Sequence, residues 1–163
     1  MTKAFAIFYQ TVIIMANPND RCEQLLLDNQ LCFPLYVCGK EIVNAYTPYL
    51  SKLGLTYTQY ITMMVMWEEK QVTSGHLKER LFLDSGTLTP VLRRLEKKGY
   101  IMKERSREDA RDLVITLTET GRQLKAEAAE IPFKVGSCLN GFEHAPELYA
   151  LLREMMNVFR ARH

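Results

Sequence analysis

Two short runs of this 163-residue chain carry residues that could do chemistry. The first, Leu31-Cys32-Phe33-Pro34-Leu35-Tyr36, places a thiol at the head of an apolar helical run. The second, Leu83-Asp84-Ser85-Gly86-Thr87-Leu88-Thr89-Pro90-Val91-Leu92-Arg93-Arg94-Leu95-Glu96, has hydroxyls at its start and arginines a turn later. A thiol can be oxidised, and such a helix can enter a DNA groove. In one chain the two suggest a regulator whose DNA binding is switched by redox state.

Only a thiolate attacks a peroxide well, so a sensing thiol needs a pKa below the reference of about 8.5. A cysteine in the first turn of a helix has its anion favoured by the helix dipole. The apolar residues Phe33, Leu35, Met63 and Trp67 would favour a peroxide with an organic tail. The first product is a sulfenic acid, which condenses with a nearby thiol or oxidises further. A lone cysteine on an apolar helical face is otherwise a buried, inert small hydrophobe, and both readings stand at this point. Cys38 lies six residues on. On one helix that is about 240° away, so the two cannot bridge locally. Cys22 and Cys138 are far off in sequence, and no C-x-x-C or Cys/His ligand spacing occurs. No metal and no cofactor are therefore expected. The histidines His76, His144 and His163 are scattered, which makes an enzyme the weaker reading.

In a helix-turn-helix the N-terminal residues of the second helix touch base edges. Here that end offers Ser85, Thr87 and Thr89, followed by Arg93 and Arg94. Arg105, Arg107 and Arg111 fall on a hairpin tip, where arginine suits a narrow, electronegative minor groove. From Arg93 to Arg107 seven residues are basic and two acidic, although the formal net charge of the chain is only +2. Such a strip is the footprint of phosphate binding. The plainer alternatives are a solvated charged face, helix capping by Ser85 or Thr87, a salt bridge from Arg111 to Asp109 or Asp112, and a protein-binding winged helix.

The elements that must position these residues follow from pattern. Asp28 to Leu53 reads as a long helix with apolar three- and four-residue steps, with Pro34 near its start, Pro48 disturbing its end and Gly54 closing it. Thr56 or Thr58 caps a helix from Gln59 to Glu69. Thr73 or Ser74 caps one through Leu81, and Asp84 or Ser85 caps one ending at Lys98 before Gly99, locally distorted at Pro90. Tyr100–Arg105 and Leu113–Leu117 form a hairpin around the charged turn Ser106–Ala110. Thr118 caps a helix to about Glu130, Pro132 to Asn140 is irregular, and Ala145 to Arg162 is a last helix with an apolar stripe.

The fold class is mainly α (α+β), a winged helix-turn-helix with long N- and C-terminal dimerisation helices. Residues 1–27 form an N-terminal extension, 28–54 a dimerisation helix, 55–117 the DNA-binding domain and 118–163 the C-terminal dimerisation helices. The long helices cannot bury their stripes on a domain of about 60 residues, so a symmetric homodimer is expected. The apolar run Ala4–Ala16 is shorter than the roughly 20 residues a bilayer needs. It lacks a clear cleavage site, so no membrane role is expected. Residues 1–14 are then either an upstream-start extension or an extra helix packed on the dimer. Few cysteines in a core-forming chain suit a reducing, cytoplasmic setting.

Asp84–Thr89 with Arg93–Gly99, then Arg105–Arg111 and Leu117–Gly121, resemble the MarR winged-helix regulators. The run Leu27–Phe33, with Leu55–Tyr60 and Trp67-Glu68, is similar to their organic hydroperoxide resistance branch. The resemblance implies a homodimeric repressor on a palindromic double-stranded DNA operator. In such proteins organic hydroperoxides oxidise the cysteine matching Cys32. Tyrosines matching Tyr46 and Tyr57 hydrogen-bond to that cysteine, and the repressor then leaves its operator. Two-cysteine members carry a resolving thiol in the region of Cys138. The competing readings are a MarR-type regulator that binds a small phenolic or hydrophobic ligand, and a thiol peroxidase turning over at Cys32.

Overall fold

The computed structural model describes residues 25–105, 112–137 and 140–161. The apolar N-terminal run, Cys22, Arg107, Arg111 and Cys138 lie outside them. The chain divides into two units, Met1–Asn44 and Ala45–His163. In the first, the described residues form a 3-10 turn, Leu27–Asn29, and the N-terminal part of α1 (Cys32–Leu50). The helix starts four residues later than its apolar spacing suggests, because Gln30 is extended. Pro34 therefore falls in the first turn, where its missing N–H forfeits no bond. Pro48 lies inside α1, and the α-helix ends two residues later, tightening into a 3-10 turn at Ser51–Leu53. Gly54 adopts φ 65°, with its N–H on the Ser51 carbonyl (3.0 Å) and the Leu55 N–H on the Leu50 carbonyl (2.9 Å). These paired bonds are a Schellman stop.

The second unit holds the helix-turn-helix. α2 (Tyr57–Glu69) opens on a capping box. The Gln59 N–H donates to Thr56 Oγ1 at 3.3 Å and the Thr56 N–H to Gln59 Oε1 at 3.2 Å. Thr73 caps α3 (Ser74–Leu81) through the His76 N–H. Three residues later Asp84 caps α4 (Ser85–Lys97), which runs through Pro90 without a break. Its end is a second Schellman stop. Gly99, at φ 73°, donates to the Glu96 carbonyl and Tyr100 donates to Leu95.

Among the described residues three strands form one antiparallel sheet in the order β1-β3-β2: β1 (Gln71–Thr73), β2 (Ile101–Arg105) and β3 (Leu113–Leu117). The hairpin was expected and β1 was not. α5 (Glu119–Ala128) is capped by Thr118, α6 is Ile131–Gly136 and α7 is Ala145–Arg160. α6 corrects the expectation of an irregular segment there. Pro132 sits at the second helical position, where proline initiates rather than breaks.

α2 is the central element, with Met63 and Met66 fully buried, and α4 packs its Leu88, Leu92 and Leu95 into the same core. The Trp67 indole N–H donates to the Gly121 carbonyl at 2.8 Å, joining α2 to α5. A Cβ at Gly121 would stand 2.2 Å from the Tyr100 carbonyl oxygen, so only glycine fits there.

Candidate DNA-reading face and thiol sensor

α4 separates its two faces cleanly. Leu88, Leu92 and Leu95 point inward, while Ser85, Thr87, Thr89, Arg93 and Arg94 are all exposed. The helix is positioned at both ends, by Asp84 at the start and the Gly99 stop at the end. The cap falls on Asp84 rather than on Ser85 or Thr87. Asp84 Oδ1 accepts the Thr87 N–H at 2.8 Å, and the Thr87 hydroxyl donates to Oδ2 at 3.0 Å. These bonds, the backbone one first, hold the Asp84 carboxyl below its ordinary 3.8. Thr87 thus has its hydroxyl proton committed within the chain, whereas a phosphate oxygen needs a donor. Ser85 and Thr89 are the hydroxyls left facing outward at the reading end.

The basic strip is less uniform than its sequence. Lys98 Nζ donates to the Gly54 carbonyl and approaches Gln59 Oε1 at 3.5 Å, fastening the end of α4 to the α1–α2 corner. Lys103 pairs with Glu96 at 2.8 Å. No ion pair among the described residues engages Arg93, Arg94, Lys97 or Arg105. Arg105 closes β2 opposite Leu113.

At the loop end of this hairpin the Asp112 carboxylate takes partners on α3 that local spacing does not reveal. Asp112 Oδ1 accepts the Ser74 hydroxyl, the Gly75 N–H at 3.2 Å and the Leu113 N–H at 2.9 Å. The Ser74 bond is the main reason its carboxyl lies below 3.8; burial opposes it. The alternative of an Arg111 partner for Asp112 falls on a residue outside the description, but the Asp112 Oδ1 is filled by these donors.

Cys32 is the first residue of α1 and is exposed, as is Cys38. In the single chain the Cys32 thiol is therefore open to solvent. In the second unit, Tyr46 near the end of α1 and Tyr57 at the start of α2 meet edge to face, with ring centroids 5.3 Å apart. Tyr60 lies 5.7 Å from Tyr46. The Gly54 stop folds the chain back so that phenols eleven residues apart become neighbours. Burial, and then repulsion from a Tyr46 phenolate, push Tyr57 above its ordinary 10.0. Burial chiefly does the same at Tyr60. Both phenols are therefore protonated donors at neutral pH. Among the described residues no cluster of three His, Cys, Asp or Glu side chains could hold a metal ion, and no helix is long and apolar enough to cross a membrane.

Comparison with known proteins agrees with this geometry. Residues 44–128 match the family model for the transcriptional regulator SarA/Rot. The organic hydroperoxide resistance transcriptional regulator of Bacillus subtilis (strain 168) is 45% identical over 113 residues, covering 69% of this chain and 77% of that protein. The HTH-type transcriptional regulator SarZ of Staphylococcus aureus (strain USA300) is 49% identical over 113 residues, covering 69% and 76%. Reduced AbfR bound to DNA superposes with a TM-score of 0.69 at 35% identity, covering 87% of this chain and 99% of that one. AbfR, from Staphylococcus epidermidis, is also solved overoxidized on DNA and in a disulfide-formed state. With a winged helix-turn-helix, an outward-facing α4 and these relatives, the chain belongs to the SarA/Rot family of MarR-like winged-helix transcriptional regulators.

Proposed function

We propose that this chain is a homodimeric repressor that binds a palindromic operator and releases it when an organic hydroperoxide oxidises Cys32. The observation that carries the reading is the Cys32 thiol, exposed at the first position of α1, in a relative of a hydroperoxide resistance regulator. The thiolate attacks one peroxide oxygen. An S–O bond forms, the O–O bond breaks, and the departing alkoxide takes up a proton as the alcohol. Sulfur is oxidised to the sulfenic acid and the peroxide is reduced. A thiol then condenses with the sulfenic acid, expelling water and leaving a disulfide. Cys138 is the candidate resolving residue, and the disulfide-formed state of AbfR supports such a step.

Tyr46 and Tyr57 are the proposed donors to Cys32. The outer face of α7 supports the same dimer, since none of its residues is buried. In the reduced dimer Ser85, Thr87, Thr89, Arg93 and Arg94 face the major groove. For Thr87 the contact is through its lone pairs. Arg105, Arg107 and Arg111 serve the minor groove. Oxidation removes the phenol bonds and shifts the spacing of the two α4 helices away from what the operator demands.

The test is a mobility shift on the DNA upstream of this protein's own gene. Reduced protein is compared with protein given one equivalent of cumene hydroperoxide, and Cys32→Ser is run alongside. Wild type should bind and be released, and Cys32→Ser should stay bound. If both stay bound, the regulator answers another signal, and a small hydrophobic ligand becomes the reading to test.

A further inference from the structure

We propose that Asp112 is a positioning residue for DNA binding: through Ser74 and Gly75 it fixes the β2–β3 hairpin, and with it Arg105, on the N-terminus of α3. The inference rests on the DNA-binding reading above and adds a residue to it.

The connection can be followed bond by bond. β3 starts at Leu113, directly opposite Arg105 of β2. The Leu113 N–H donates to Asp112 Oδ1 at 2.9 Å and lies 3.4 Å from Ser74 Oγ. The same carboxylate accepts the Ser74 hydroxyl and the Gly75 N–H. A Cβ at Gly75 would stand 3.2 Å from Asp112 Oδ2, so a glycine lets the carboxylate approach the helix this closely. On the other side of β3, Thr73 pairs with Val114. The loop end of the hairpin is thus tied to α3 through the Ser74 hydroxyl and the Gly75 N–H, with the Leu113 N–H of β3 on the same carboxylate oxygen.

Charge gives this proposal a sign of its own. A carboxylate beside a phosphate-binding strip repels DNA, so electrostatics alone predicts tighter binding once it is removed. Positioning predicts the reverse. Fluorescence anisotropy with a labelled duplex of the DNA upstream of the gene, using reduced full-length protein over a series of salt concentrations, separates the two. Asp112→Ala and Ser74→Ala should each weaken binding by about tenfold and lower the salt slope by about one, the share of one arginine. Asp112→Asn, which keeps an oxygen acceptor, should recover most of the affinity. Circular dichroism of each variant shows whether it is folded. Asp112→Ala binding as tightly as wild type or tighter, or weaker binding with an unchanged slope in all variants, overturns the proposal. If wild type does not bind the duplex, the DNA-binding reading falls, and this inference with it.

Discussion

In α4 the apolar positions Leu88, Leu92 and Leu95 are 3% exposed or less, whereas in α7 Leu148, Leu151 and Phe159 stand 37%, 64% and 44% exposed. Both helices carry one apolar stripe and one polar face. α4 finds its cover within the chain, on α2 and the sheet. α7 does not. The same amphipathic pattern thus means two things. In α4 the inner stripe anchors a helix whose polar side is free to meet DNA. In α7 the stripe stays exposed among the described residues, and exposed apolar patches of that kind mark interaction sites.

The largest effect should come from breaking the anchored side. Leu95→Ala removes a fully buried side chain and should cost about 2–5 kcal/mol in urea unfolding. Gly121→Ala follows. Its Cβ meets the Tyr100 carbonyl, so α5 must shift and strain the Trp67 bond. A loss of about 1–3 kcal/mol is expected, at the upper end because the obstacle is backbone. On α7 the response should differ in kind. Leu151→Glu should leave the circular dichroism spectrum unchanged and convert the proposed dimer to monomer in sedimentation. Its thermal midpoint should no longer depend on protein concentration. A wild type already monomeric at micromolar concentration would sink the proposed role of α7.

Periodicity made α2, α4 and the hairpin readable from sequence, because each has enough residues for a period to show. Gln71-Val72-Thr73 is too short to display alternation. It is a strand only because Lys70, at φ 65°, turns the chain beside β3. The segment from Pro132 reads as irregular in sequence, yet a proline at the start of α6 costs the helix nothing. Among the site residues, the hydroxyl–arginine order of α4 was readable, and the commitment of Thr87 to Asp84 was not. Local spacing cannot tell which of three adjacent polar residues will be the cap. Sequence marks Asp112 only as a possible partner of Arg111; its bonds to Ser74 and Gly75 are out of reach, since these lie 38 and 37 residues away.

The smallest effect sharpens the same contrast at the loop end of the hairpin. The Asp112 carboxyl is held below its ordinary 3.8, chiefly by the Ser74 hydroxyl. A carboxylate depressed in the folded state contributes stability that is fully present above its unfolded pKa. That contribution is lost as the pH falls through the folded value. Asp112→Asn should therefore be slightly less stable than wild type at pH 7, and the two unfolding curves should converge as the pH falls below about 3.8. Asp84 is shifted in the same direction by its bonds to Thr87, so the variant keeps part of the acid sensitivity of wild type. A gap between the two proteins that stays constant down to pH 2 would mean that the Asp112 charge adds nothing to the latch and that its oxygen alone holds Ser74 and Gly75.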